Sequence, residues 1–405
     1  MATLDVTAAS AALKTYYSNQ RVKQLTYKDC PFYAMLRKQK NFEGSTYPLP
    51  MRVTNPQGRS ATFTNAQGQK QPSDYRTFQL TRKTDYSLAS ITTEAILASA
   101  SNPGAFIRLA TAEIDGALDS LKRSIGWSLF GSGDGSLGAI AGSPTSTNPA
   151  VFTFTDPEDI VKIEQNQTIE IRSGATVRNL GAGATSALVT AVDRDLGTFT
   201  LAADNSGNTD TVVAGDTANV VGDYNLKMTG LAGWIPATAP SATPFFGVDR
   251  TKDVTRLAGV RVPSSGKPLD EALIDAARRI NREGGTPDYA FMSWAKYAKL
   301  EKTLGGRVRY EEVMVAGIGF SAIVVNGPNG KIRCIADRDC PDNRIYLLTM
   351  STWALYSLRE PVMIVDLDGN KMLREATADA YEVRCASYSQ VGCDHPGANA
   401  VMTFS

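Results

Sequence analysis

Histidine is nearly absent from this chain: His395 is the one copy in 405 residues. Imidazole is the commonest general acid/base and metal ligand near neutral pH. Its scarcity makes an enzyme hard to assemble here and leaves mainly carboxylate or lysine chemistry. Net charge is nearly absent too, since 42 Lys+Arg face 41 Asp+Glu for a formal +1. A dedicated nucleic-acid binder would show a strongly basic face or stripe instead. No apolar run of about 18 residues occurs, so no transmembrane helix is expected. The start, Met1-Ala2-Thr3-Leu4-Asp5-Val6, lacks the basic and apolar regions of a signal peptide. Cytoplasmic synthesis is therefore expected, with Cys30, Cys334, Cys340, Cys385 and Cys393 as reduced thiols. What is present, 42% hydrophobic and 20% charged residues, suits a globular chain. The length implies two or three domains of roughly 100–200 residues each, with core enough to need no metal or disulfide staple.

Chemistry-bearing motifs are missing or misplaced. Four of the cysteines and His395 fall in the last 75 residues or so, but as Cys-x5-Cys and Cys-x7-Cys. Structural zinc uses paired Cys-x2–4-Cys knuckles, so no metal site is expected, and Cys334 and Cys385 read as small apolar strand residues. Gly131-Ser132-Gly133-Asp134-Gly135-Ser136 follows a helix, whereas a phosphate cradle must precede one. No Gly-x-Ser-x-Gly elbow exists. Asp366-x-Asp368-Gly369-Asn370 lacks the bidentate Glu of a calcium loop and reads as a β-turn. No catalytic residue, cofactor site or metal site is assigned.

The order of segments is more informative. Residues 1–40 carry seven basic residues, Lys14, Arg21 and Lys23 among them, against Asp5 and Asp29. This net +5 arm has a helical piece near Ala8–Tyr17, and the Cys30-Pro31 step interrupts any helix. Ser45–Val53 and Asp74–Leu88 are β-like, and the Gly/Asn/Gln-rich stretch between them predicts a long hairpin with a polar tip. An isolated two-stranded ribbon is marginal in water, so it must lie on something. Its own domain or a neighbouring subunit could serve, and no nearby segment is an obvious cover. Asn102 as N-cap and Pro103 at the first position begin a helix running to about residue 130. Its apolar residues Phe106, Leu109, Ile114, Leu118, Leu121, Ile125 and Leu129 recur every three or four positions.

Residues 156–223 carry eleven acidic and four basic residues, net −7, in short strands at regular spacing. They read as a small β-barrel or sandwich inserted before Gly230-Leu231-Ala232-Gly233-Trp234-Ile235-Pro236. From residue 268 helices at Leu269–Glu283 and Trp294–Leu304 alternate with strands, among them Tyr289–Met292, Phe320–Val325, Lys331–Ala336 and Ile345–Leu348. Later strands are read at Trp353–Leu358, Val362–Asp366, Ala380–Tyr388 and Ala400–Phe404. This is an α+β pattern with helices on one side of a sheet.

Basic arm, long polar hairpin, long helix and closing α+β region, with the Gly230–Pro236 stretch and the preceding Val220-Val221-Gly222-Asp223-Tyr224, resemble tailed-bacteriophage major capsid proteins of the Hong Kong 97-type fold. The resemblance implies an N-terminal arm over 1–42, an E-loop over 43–88 and a P-domain with its spine helix over 89–155. It further implies an inserted β-domain over 156–225, an A-domain over 226–350 and strands returning to the P-domain over 351–405. It implies self-assembly into hexamers and pentamers of an icosahedral head enclosing double-stranded DNA, in a virion built in the host cytoplasm. Implied partners are further copies of the chain, a portal, separate scaffolding and decoration proteins, and packaged DNA through nonspecific contacts. Intersubunit contacts are expected from Asn55, Arg59, Gln67, Lys70 and Arg76 at the hairpin tip, and scaffold- or DNA-facing contacts from Lys14, Arg21 and Lys23. A Lys–Asn isopeptide bond of the kind some members form would draw on Lys70 and Asn399, but noncovalent packing is the default, because an acylating lysine must be held neutral. The alternatives are an encapsulin-like compartment, which shares the fold, and a carbohydrate-active enzyme, which needs a carboxylate pair in a cleft.

Overall fold

Pro103–Phe130 is one continuous helix, as the three-and-four spacing predicts. At 1.5 Å per residue it is about 42 Å long. The computed structural model describes residues 30–94, 103–181, 183–203, 212–315, 318–366, 369 and 372–404. The expected N-cap Asn102 and the helical piece of the arm lie outside them. Ile114, Leu118, Leu121, Ile125 and Leu129 are buried on one face of this helix. That face covers a six-stranded sheet whose backbone is the strand Ala380–Cys393. Lys83–Thr92 pairs antiparallel with it from Ala380 to Ser389, and Trp353–Ser357 pairs with its other end. Arg37–Gln39 adds a parallel edge against Ala354–Tyr356.

A seven-stranded sheet lies beside it, ordered Val260–Pro263, Ala400–Thr403, Arg344–Leu348, Tyr289–Met292, Gly330–Ala336, Ile318–Gly327 and Tyr310–Val315. Helix Leu269–Arg282 lays Leu269, Ala272, Leu273, Ala276 and Ile280 on it, and Trp294–Leu304 packs alongside. One expectation is corrected here. The closing strand Ala400–Thr403 belongs to this sheet and does not return to the other. It runs parallel to Val260–Pro263 and antiparallel to Arg344–Leu348. Ala400, Val401 and Met402 are wholly buried, which only an interior strand position provides.

The strands of the acidic region join an eight-stranded sheet with its own buried cluster, including Leu137, Phe152, Phe154, Ile169, Ile171 and Phe199. This sheet starts at Ser136, earlier than the charge pattern suggests. Ser136–Ala139 pairs with Thr217–Val220, and Ala150–Thr153 with Thr198–Leu201. Charge could not mark that start, because the first strands, Ser-Leu-Gly-Ala and Ala-Val-Phe-Thr, carry none.

The Gly230–Pro236 stretch is where the parts meet. Leu231–Trp234 makes one helical turn, and Trp234 is fully buried. Its ring meets Phe78 and Phe245 at 5.1 Å each, and its indole Nε1 donates to the Val391 carbonyl at 3.1 Å. A Cβ on Gly230 would stand 2.1 Å from the Leu129 carbonyl oxygen, so only glycine lets this turn abut the end of the long helix.

Candidate intersubunit surface

The hairpin pairs Thr46–Thr54 with Asp74–Thr81 as a separate two-stranded sheet. The second β-like run divides at Arg82, whose guanidinium donates to the Phe42 and Gly44 carbonyls at 3.3 and 3.0 Å. Beyond it the chain joins the six-stranded sheet. The ribbon is covered by its own subunit, one of the two covers that the sequence leaves open. Along both strands alternate residues turn inward, and Leu49, Met51, Val53, Phe78 and Leu80 are buried. The cover comes from far along the chain. Trp234 and Phe245 pack on Phe78, Gln79 N donates to the Phe246 carbonyl at 2.9 Å, and Arg256 reaches the Val53 carbonyl at 2.6 Å. Five side chains at roughly 2 kcal/mol apiece give on the order of 10 kcal/mol of gross burial, an upper bound that still suffices to seat the strands.

The tip differs from the strands. No residue from 55 to 73 is buried. Asn55, Arg59, Gln67, Lys70 and Arg76 are all exposed, the first four in the tip and Arg76 on the strand Asp74–Thr81. The tip is nonetheless ordered by its backbone. Gln57 and Gln71 exchange hydrogen bonds at 3.0 and 2.8 Å, and Asp74 N donates to Thr54 Oγ1 at 3.1 Å. Gly58, at φ +137°, lies so near that a Cβ would come within 3.0 Å of Lys70 Cα. Phe63–Gly68 forms a short helix where the sequence reads as loop. Its Phe63 is 80% exposed, an outward-facing aromatic that the sequence does not mark, because nothing local tells which aromatic faces out. Arg76 is paired along its strand to Asp74 at 2.9 Å, leaving Arg52, Arg59 and Lys70 to set a basic tip.

The other candidates separate. Lys14, Arg21 and Lys23 lie outside the described residues. Asn399 is wholly buried, and its amide is fully engaged: Oδ1 accepts from Thr349 N at 2.8 Å and Trp353 Nε1 at 2.9 Å, while Nδ2 donates to the His395 carbonyl at 2.9 Å and Thr352 Oγ1 at 3.1 Å. It pins the crossing between the two large sheets and offers no amide to a lysine of another copy. His395 is partly buried, and burial lowers its pKa, with Arg256 acting in the same direction. All five cysteines are buried, and burial pushes the thiols of Cys334, Cys385 and Cys393 up to about 12. Among the described residues no group of three or more His, Cys, Asp or Glu is placed to hold a metal ion.

The arm enters the fold at a buried acidic junction. Phe32 N donates to Asp337 Oδ2 at 3.2 Å, and Cys30 Sγ approaches Asp339 Oδ2 at 3.6 Å. Gly126 of the long helix makes room, since a Cβ there would stand 2.1 Å from that oxygen. Burial, then the neighbouring Asp339, raises Asp337 to about 7, against hydrogen bonds from the Asp339 and Phe32 amides and the charge of Arg338. Burial raises Asp339 as well, opposed chiefly by Arg338.

A docked hairpin with a free tip, a long helix across one sheet and a second helix-covered sheet are the elements of the Hong Kong 97-type fold. The capsid subunit of cyanophage A-1(L) has this fold, with a TM-score of 0.53 at 14% identity over 93% of this chain and 92% of that one. Residues 206–369 match the family model described as SU10 major capsid protein, which bears out the resemblance to tailed-phage major capsid proteins. Weaker likenesses are to the capsid of an empty GTA particle (TM-score 0.45, 10% identity, 91% of this chain and 88% of that one) and to the SrpI encapsulin of Synechococcus elongatus PCC 7942 (TM-score 0.43, 13% identity, 100% and 96%). No curated protein matches the chain.

Proposed function

We propose that this chain is the major capsid protein of a tailed phage, and that its work is to pack against copies of itself. The observation that carries the proposal is the match of residues 206–369 to a major capsid family within a chain of the capsid fold. The role is structural and not catalytic, and the site of action is the virion shell, built in the host cytoplasm.

Within that reading the hairpin tip makes the contact between neighbours. One face of the strands is already covered, so residues 55–73 reach outward, with Asn55, Arg59, Gln67 and Lys70 as polar contacts around Phe63 and Arg76 on the adjoining strand. A tip that docks on a different surface of the next copy makes a head-to-tail contact, which closes into rings, here hexamers and pentamers. The polar character of the tip keeps unassembled subunits soluble, where a large apolar patch would aggregate them. Lys14, Arg21 and Lys23 of the basic arm face scaffolding protein or DNA, and a portal and decoration proteins complete the head. An encapsulin-like shell shares the fold, and the matched capsid family favours the phage reading. Negative-stain microscopy of the purified protein tests the proposal. Closed shells are expected, and a variant lacking 55–72 is expected to stay folded yet form none. Intact shells from that variant would refute the role of the tip, and a wild-type protein that stays monomeric under every assembly condition would refute the function.

A further inference from the structure

A cavity of about 410 Å³ opens where the eight-stranded sheet meets the long helix and the loop after Gly330–Ala336. Four separate segments each bring a cation to it. Arg123 comes from the long helix, Lys162 from the 3-10 turn Pro157–Lys162, Arg194 from the turn between Ala187–Asp193 and Thr198–Leu201, and Arg338 from the loop. Glu164 and Asp339 are the acids of the lining, and Trp127 and Val161 complete the wall. These acids do not balance the cations. The one carboxylate of Glu164 serves two guanidiniums, meeting Arg123 Nη1 and, at 3.2 Å, Arg194 Nη2. Asp339 meets Arg338 Nε at 3.4 Å, and burial raises its pKa, which weakens it as a counterion. Lys162 is better matched, with Asp159 at 2.5 Å. A guanidinium carries five N–H donors. Beyond Glu164, Arg194 reaches the Ile163 carbonyl at 3.5 Å, and among the described residues neither it nor Arg123 has a further acceptor.

We propose that this cavity binds a phosphate-class oxyanion, which clamps the eight-stranded sheet to the long helix and the loop at Arg338. Charge selects this ligand, since a phosphate dianion matches a lining of four cations and two carboxylates. Donor geometry agrees, because planar guanidiniums grip phosphate oxygens through paired N–H···O bonds. The volume admits a phosphate group, free or carried on a small ester. Lys162 and Arg194 stand on one side of the cleft and Arg123 and Arg338 on the other, so an oxyanion between them is bound by the folded arrangement and not by the unfolded chain. Occupancy therefore stabilises the subunit. The inference stands apart from the assembly proposal and is tested on the unassembled subunit.

The test is isothermal titration calorimetry of the full-length chain at pH 7.5, with inorganic phosphate and glycerol phosphate as the two titrants. Ionic strength is held constant, because screening would otherwise mimic a change in affinity. Saturable binding is expected, and the tighter titrant identifies the source as free phosphate or ester. Arg194→Gln, at an exposed turn, is expected to raise Kd about tenfold by removing a charge-assisted hydrogen bond. Glu164→Gln removes the competing carboxylate and is expected to lower Kd about threefold. Arg278→Gln, on helix Leu269–Arg282 and outside the cavity lining, is expected to leave Kd unchanged. Saturating titrant is expected to raise the Tm of the wild type, an increment that Arg194→Gln loses at the same concentration. Absence of saturable binding by both titrants overturns the proposal, as does an Arg278→Gln effect equal to that of Arg194→Gln. A Tm that saturating titrant does not move overturns the clamp.

Discussion

Replacing Asp337 with Asn should make the subunit more stable at pH 8 than the wild type, and much less so at pH 5. Asp337 is 1% exposed and is faced by Asp339 and Arg338 from its own loop and by Cys30 at the base of the arm, which Lys122 on the long helix also influences. Its pKa is raised in the folded chain, to about 7 from an ordinary 3.8. The folded state therefore holds the proton more tightly than the unfolded state does. This contribution to stability is whole below about pH 4 and is lost as pH rises through about 7. At about 1.4 kcal/mol per tenfold change in proton affinity, the full loss is roughly 4 kcal/mol, and the part falling between pH 5 and 8 is about 2–3 kcal/mol. Asparagine carries no charge to bury. It keeps one acceptor for the Phe32 or Asp339 amide and sets its NH2 against the other, a penalty of about 1 kcal/mol that does not vary with pH. Urea denaturation of unassembled subunits, followed by tryptophan fluorescence at both pH values, measures the difference between variant and wild type. It should shift toward the variant by about 2–3 kcal/mol between pH 5 and 8. A difference that stays constant would mean that Asp337 titrates normally, and the reasoning about the junction would fail.

Phe78→Ala should cost about 3–5 kcal/mol, as it empties the slot against Trp234 and Phe245, and should impair shell formation although the tip itself is intact. A loss under about 1 kcal/mol by chemical denaturation would show that the strands are not seated as described. Excision of the eight-stranded sheet should succeed only at its true ends. A Cβ on Gly135 would lie 2.5 Å from the Asp223 carbonyl oxygen, so these residues adjoin, and removing 136–222 with a direct join should leave a soluble, cooperatively melting core. Removing 158–222 should instead give insoluble protein, because Leu137, Phe152 and Phe154 lose their partners. Equal solubility of the two deletions would refute this division.

Elements held together by local pattern were legible in the sequence. Pro103–Phe130, Tyr289–Met292 and Trp294–Leu304 follow from apolar spacing and from flanking proline, serine or glycine. What escaped depends on partners hundreds of residues away. The hairpin's alternation was visible, but its cover is Trp234, Phe245 and Arg256, which no reading of residues 43–88 could supply. Ala400–Thr403 reads as a buried strand of either sheet, and the crossing pinned by Asn399 decides between them. At the tip, polarity and turn residues foretold exposure of Asn55, Arg59, Gln67 and Lys70, whereas Phe63 looked like any core aromatic. The Asp337–Asp339 junction lies in the charged run Asp337-Arg338-Asp339-Cys340-Pro341-Asp342-Asn343-Arg344, which reads as a solvated turn, and burial had to be seen before it meant anything.

The closing strand bears on the life of the chain before any shell exists. Val260–Pro263 has no neighbour until Ala400–Thr403 arrives, and Arg37–Gln39 waits for Trp353–Ser357. Neither large sheet can therefore be finished from the first 350 residues. Such distant pairings make folding slow, and they leave sheet edges bare while synthesis continues. A chain broken off early keeps those edges unpaired, and Trp234 under the hairpin lacks its Val391 acceptor, so translation must pass residue 403 before both sheets close. The topology acts as a length gauge, closing both sheets only in chains that reach Ala400–Thr403.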